Sequence, residues 1–153
     1  MTRRSFLAAL LAAAAAACGE GAPDDPARRA LVERLQKPET LTPAELGALR
    51  AEIRKTVDPK SFLKDGREEL ADEEREAVFG MLGEPAGMFD EGLKTHEGRT
   101  YRVLNSPAKS FNQEIEAFRR LYIDPVSLQP RRFEFAHAFA GYGEYAFDLA
   151  PRR

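Results

Sequence analysis

The chain has 153 residues, a formal net charge of -2, 43% apolar residues, one cysteine and no tryptophan. This length allows one domain with a hydrophobic core of useful size and is too short for two full domains. One cysteine excludes an intrachain disulfide framework. A slightly acidic chain also lacks the basic surface that nucleic-acid binding requires, so no nucleic-acid partner is expected.

The amino terminus has the features of an export signal. It begins with a basic segment, and 14 of its first 18 residues are apolar, more than half of them alanine. The uninterrupted apolar stretch of about 12 residues is shorter than the roughly 20 that span a bilayer, and it lacks the polar face of an amphipathic helix. We therefore expect residues 1–18 to be a secretory signal, followed by a polar tether over residues 19–26.

Two short motifs within this signal resemble known export and anchoring sequences. The segment containing Arg3, Arg4, Phe6 and Leu7 is similar to the twin-arginine motif, which implies export in the folded state, with the general route for unfolded chains as the alternative. The segment that ends at Cys18 resembles a bacterial lipobox. That resemblance implies that the Cys18 thiol receives a diacylglyceryl group and that several acyl chains anchor the mature protein firmly.

The lipobox resemblance also implies a location. The expected place is the periplasmic side of the cell envelope, with the acylated Cys18 in the membrane. Gly19 rather than aspartate follows the cysteine. In lipoproteins of Gram-negative bacteria this favours the outer membrane over the inner one.

Residues 27–153 are interpreted as a single α+β domain, helical over residues 27–83 and a sheet over residues 99–150. Asp25 and Pro26 form a helix start, and Thr42 with Glu45 forms a capping box. Apolar spacing then predicts helices over about 26–36, from Thr42 to about Val57, and from Asp72 to about Gly83. Strands are predicted near 100–104, 115–123 (where a helix is the alternative), 133–139 and 145–149. The expected fold is thus about three N-terminal helices packed on a C-terminal antiparallel meander of about four strands.

One C-terminal segment resembles a known class of envelope domain. In Arg120–Phe135 a strand ends in Ile-Asp-Pro, a short turn ends in Leu-Gln-Pro, and the next strand runs back. This pattern is similar to the cradle-shaped sheets of periplasmic lipoprotein-sorting carriers and of related uncharacterised envelope domains. The resemblance implies a meander and the carriage of lipid.

Two sets of side chains are candidates for a ligand or partner surface. The first set is aromatic and is predicted to lie on one face of the sheet: Phe133, Phe135, Phe139, Tyr145 and Phe147. It forms either the core beneath the helices or a groove for an acyl chain or an apolar peptide. The second set is basic and belongs to adjoining strands: Arg119, Arg120, Arg131 and Arg132. It forms either a patch for an anionic lipid or acidic partner, or an ordinary solvated surface.

Catalytic and metal-binding signals are weak. Ser61–Lys64 matches the Ser-x-x-Lys of penicillin-binding enzymes, but the other motifs of that site are missing, so the match is interpreted as chance. His96 and His137 are the only histidines, too few for a convincing zinc site or catalytic triad. No catalytic residue, metal or cofactor is predicted.

The sequence therefore favours a non-catalytic, lipid-anchored binding module for a lipid, an apolar ligand or an envelope protein. A structural or accessory envelope lipoprotein is the alternative, and a small hydrolase that uses either histidine is the least favoured.

Overall fold

The structure, a computed structural model, describes residues 25–83, 87–109, 116–138 and 142–152. The chain forms two units, Met1–Ala30 and Leu31–Arg153. Of the first unit only residues 25–30 are described, and they form the start of the first helix. The predicted signal over residues 1–18, with its candidate residues Arg3, Arg4, Phe6, Leu7 and Cys18, lies outside the described residues. Residues 19–24 of the predicted tether and the candidate aromatic residue Phe139 also lie outside them, whereas the last two tether residues, Asp25 and Pro26, belong to the start of the first helix.

The three predicted helices are confirmed, with bounds α1 Pro26–Leu35, α2 Pro43–Thr56 and α3 Asp72–Gly80. Asp25 caps α1, since its carboxylate accepts a hydrogen bond from the backbone N–H of Ala27 at 2.9 Å. Thr42 and Glu45 form the predicted capping box at α2. The Thr42 hydroxyl accepts from the Glu45 N–H at 3.2 Å, and the Glu45 carboxylate accepts from the Thr42 N–H at 3.0 Å. These local bonds satisfy helix-end N–H groups, which explains why the sequence marks the helix starts well.

The predicted α+β fold with a meander of about four strands is wrong. The described residues form a mostly β-sheet structure with N-terminal helices, and its single antiparallel sheet has seven strands. The strands are β1 Phe62–Lys64, β2 Glu68–Glu69, β3 Phe89–His96, β4 Arg99–Lys109, β5 Glu116–Ile123, β6 Pro130–Ala138 and β7 Tyr142–Pro151. Their order across the sheet is β2-β1-β7-β6-β5-β4-β3.

The strands missing from the prediction lack the period-two pattern for physical reasons. β1 and β2 have three and two residues, and β1 is held in the sheet by pairing with β7. β3 contains a bulge between Asp90 and Gly92, which breaks the alternation of apolar and polar residues. Gly92 has a φ of +87°, a conformation that costs a residue with a side chain far more than it costs glycine.

The core lies between the helices and one face of the sheet. Across four adjacent strands, Leu104 pairs with Leu121, Leu121 with Phe133, and Phe133 with Phe147, so these four side chains share one face. All four are at most 3% exposed. From the helical side the fully buried residues Leu35, Leu49, Ile53 and Val78 complete the same cluster. Each such side chain contributes roughly 1.5–3 kcal/mol through burial.

A buried arginine fastens the loop between α1 and α2 to the sheet. Arg102 of β4 is fully buried and forms an ion pair with Asp90 of β3. Its remaining N–H groups donate to the carbonyl oxygens of Leu35, Lys37 and Glu39 at 3.3, 2.7 and 2.6 Å. Arg102 therefore provides a donor for the carbonyl of the last residue of α1 and holds the following loop against β3 and β4.

Candidate functional site

The predicted aromatic surface divides into core and exposed residues. Phe133 and Phe147 are 2% and 3% exposed and belong to the hydrophobic core, while Phe135 is partly buried against it. Tyr145 is 43% exposed. The helices thus cover the aromatic residues at the middle of the sheet, and those residues form no open groove for an acyl chain.

Tyr145 belongs to a polar cluster that joins α3 to the sheet. Its hydroxyl donates to the carboxylate of Glu74, and the ammonium of Lys64 donates to the same carboxylate at 3.0 Å. The hydrogen bond with Glu74 raises the pKa of Lys64 above its ordinary value. Burial acts against the charged form of Glu74, but the bonds from Tyr145 and Lys64 lower the pKa of its carboxyl group. Lys64 therefore stays protonated and Glu74 ionised, and the two side chains form an ion pair that links β1 to α3.

The four candidate arginines do not form one patch. Arg119 and Arg120 are neighbours in β5 and so project to opposite faces of the sheet. Arg119 donates to the hydroxyl of Ser106 at 3.2 Å. Arg120, on the face away from the helices, pairs with Glu91 at 2.8 Å. We call that face, which bears Arg120 and Tyr122, the outer face.

The outer face is held together by polar side chains that pair within it. Burial acts against the charged form of Glu91, but hydrogen bonds from Asn105, Arg120 and Lys94 lower the pKa of its carboxyl group. Tyr122 is only 8% exposed, and its burial and a hydrogen bond to Glu134 raise the pKa of its hydroxyl to about 12. Most charges on this face are thus already matched by a neighbour.

A cleft of about 570 Å³ opens beyond the end of β5. β5 ends at Ile123, which pairs with Arg102, so the first three residues of β4 have no partner in β5. The lining residues come from β3, β4, β6, β7 and the turn between β3 and β4: His96, Glu97, Arg99, Tyr101, Arg131, Asp148, Leu149 and Ala150. Arg131 is therefore the one candidate arginine that lines this cleft.

The walls of the cleft carry both acidic and basic side chains, and these differ in whether they already pair with a neighbour. Arg132 donates to the carboxylate of Asp148 at 3.0 Å. Within the described parts of the chain, Arg99 and Arg131 form no ion pair. Arg99 is exposed and Arg131 is half-buried. The cleft therefore presents two guanidinium groups whose charge is not neutralised by a described neighbour.

His96 in the cleft wall forms no hydrogen bond with a carboxylate within the described structure. His96 Nε2 lies 3.8 Å from the Glu97 carboxylate, beyond hydrogen-bond distance, and the His96 ring stacks edge-on against Tyr122 at 6.0 Å. Among the described residues that line the cleft there is no serine, threonine or cysteine. The side chain of His137 lies outside the description.

A second, more apolar depression lies between α2 and the start of β3. This α2–β3 groove has a volume of about 320 Å³ and is lined by Thr40, Leu41, Pro43, Leu46, Gly47, Arg50, Met88, Phe89 and Asp90. The Leu41 N–H donates to the Asp90 carboxylate at 2.9 Å, so the Arg102 ion pair also sets the shape of this groove. Phe89 is 45% exposed at its rim. The groove was not predicted from the sequence, because β3 was not recognised there as a strand.

None of the helices in the described ranges has the length and apolar character that a membrane span requires. No group of three or more histidine, cysteine or acidic side chains in those ranges is arranged to bind a metal ion.

Comparison of the chain with protein-family models, with curated proteins and with solved structures finds no significant match.

Proposed function

We propose that this chain is an exported, lipid-anchored protein of the cell envelope whose folded domain binds an extended segment of a partner protein in the α2–β3 groove. The export and anchoring part rests on the twin-arginine-like segment at Arg3 and Arg4 and on the lipobox-like segment at Cys18. The binding part rests on one observation, which is the apolar groove beside an edge strand with an exposed phenylalanine.

The size of the groove favours a peptide side chain over an acyl lipid. Its volume of about 320 Å³ lies at the lower end of the roughly 300–1,000 Å³ of small-molecule pockets. The larger apolar surface, at Phe133 and Phe147, is already covered by the helices. A partner that places one or two apolar side chains in the groove would use its volume fully.

The edge strand β3 would contribute main-chain hydrogen bonds to the bound segment. β3 is the last strand of the sheet and pairs only with β4 among the described strands. Its other edge therefore has backbone N–H and C=O groups available to an added strand. An extended partner segment would gain main-chain hydrogen bonds along β3 and place an apolar side chain between Leu46 and Met88, a recognition mode known as β-augmentation.

A structural or accessory role remains the second candidate, favoured by the covering of the central aromatic residues. Such a protein would act through its membrane anchor and its folded domain, without binding a partner segment in the groove. The two candidates differ in whether groove substitutions alter binding.

The test is selection from a phage-displayed library of random peptides on the purified chain. We expect enriched peptides to share an apolar residue and to lose binding when Phe89→Asp or Leu46→Asp is introduced. Val126→Asp is the matched control, because Val126 is an exposed apolar residue, 61% accessible, in the turn between β5 and β6. No enrichment, or equal loss with Val126→Asp, would reject the peptide-binding role in favour of the structural one.

The anchor is tested separately by a Cys18→Ala variant. We expect the wild-type chain to fractionate with membranes and the variant to be released. Unchanged membrane fractionation of the variant would refute lipidation and leave the groove proposal intact.

A further inference from the structure

The cleft beyond the end of β5 contains two arginines, Arg99 and Arg131, that form no ion pair within the described structure. Arg131 is half-buried and Arg99 exposed, and neither pairs with a carboxylate in the described ranges. Most of the other arginines near the cleft do have partners, such as Arg120 with Glu91 and Arg132 with Asp148. A guanidinium group without an acidic partner in the described structure has N–H donors to offer an anion from solution, and hydrogen bonds between a guanidinium and a phosphate are charge-assisted and often bidentate.

The other groups of the cleft wall are compatible with an anion. The Asp148 carboxylate is held by Arg132 at 3.0 Å, which reduces its repulsion of a second anion. Glu97 is 79% exposed at the turn between β3 and β4, where water screens its charge. Tyr101 adds a hydroxyl group to the same wall.

We infer that this cleft binds a phosphate monoester or inorganic phosphate through the guanidinium groups of Arg99 and Arg131, with the Tyr101 hydroxyl as an additional donor. Two guanidinium groups match the charge of about -2 on such an anion and can donate to several of its oxygens. The volume of about 570 Å³ leaves room for a substituent on the phosphate, such as the glycerol of a lipid headgroup. This site is separate from the α2–β3 groove, so either proposal can fail without the other.

The experiment titrates the full chain with inorganic phosphate and, separately, with glycerol phosphate, following backbone amide signals by NMR. We expect shifts at residues 99–101, 131 and 149–150, and saturable binding by at least one of the two anions. Tighter binding of glycerol phosphate would indicate a lipid headgroup as the source of the anion. Tighter binding of inorganic phosphate would indicate free phosphate.

Two variants test whether the anion binds in this cleft. Arg131→Gln and Arg99→Gln are each expected to raise the dissociation constant by about tenfold or more, because each removes a charge-assisted contact. Arg54→Gln is the matched control, since it removes one exposed arginine from α2, outside the cleft. Because Arg99 is exposed, Arg99→Gln provides a test that does not depend on the tolerance of the half-buried position. Absence of binding by both anions, or equal weakening by Arg54→Gln, would overturn the inference.

Discussion

The Arg102–Asp90 ion pair gives the sharpest prediction about stability, because its side chains are 0% and 1% exposed. Replacing Arg102 with methionine keeps much of the side-chain volume but removes every N–H donor. The carboxylate of Asp90 would keep only the bonds from the N–H groups of Leu41 and Gly92, both at 2.9 Å.

The expected cost follows from what is left unpaired. Removing one partner of a buried ion pair costs about 3–5 kcal/mol, because the other charge remains in a poorly solvated environment. In addition, three loop carbonyls, those of Leu35, Lys37 and Glu39, lose a donor. We therefore expect Arg102→Met to lower the free energy of unfolding by at least about 3 kcal/mol, a large share of the 5–15 kcal/mol typical of a domain.

Urea unfolding followed by circular dichroism measures this loss. With an m-value of about 2 kcal/mol/M, the midpoint should fall by about 1.5–2.5 M. Arg132→Met is the control on the same sheet, since its partner Asp148 is 52% exposed and such pairs contribute only about 0.2–1 kcal/mol. The double variant Arg102→Met/Asp90→Asn should cost less than the sum of the single variants, because it leaves no unpaired buried charge. A loss below about 1 kcal/mol for Arg102→Met would refute this reasoning.

Two further predictions concern the helix cap and acid stability. Thr42→Ala removes the acceptor for the Glu45 N–H and should lower the free energy of unfolding by about 1 kcal/mol, which a melting temperature lower by a few degrees would show. Thr42→Ser keeps a hydroxyl acceptor and should melt near the wild-type temperature. Equal melting temperatures of the two variants would contradict the capping argument. The carboxyl groups of Asp90 and Glu91 have folded-state pKa values below their usual ones, so the folded protein binds fewer protons than the unfolded chain. Their stabilisation is therefore complete above the unfolded pKa of about 4 and is lost as pH falls through the folded values. The melting temperature, measured between pH 7 and pH 2, should fall mainly below about pH 4. Asp90→Asn should show a smaller fall. A melting temperature that stays constant to pH 2 would contradict the stabilising role of these two carboxylates.

The parts of the fold that sequence analysis predicted correctly are those specified by local patterns. Asp25 and Thr42 lie next to the helices they cap, and the alternation around Phe133 is visible within one strand. β3 could not be found in this way, because the bulge at Gly92 interrupts its pattern. β1 could not either, because three residues form a strand only when β7 is present to pair with them.

The candidate sites depend even more than the strands do on contacts between residues that are far apart in the sequence. Arg131 and three other arginines were predicted to form one candidate patch, but only the sheet register shows that Arg120 pairs with Glu91 and Arg132 with Asp148. Nothing local in the sequence indicates that Asp90 and Arg102, on different strands, would share a buried ion pair that shapes a groove.

Residues that are neighbours along the chain specify the expected export signal ending at Cys18, the starts of the three helices and the strands with regular alternation. The tertiary fold sets the seven described strands, the covering of the aromatic residues, the α2–β3 groove and the two cleft arginines that form no ion pair within the described residues. These features depend on strand pairing and burial between residues far apart in the chain, and such contacts exist only once the sheet has formed.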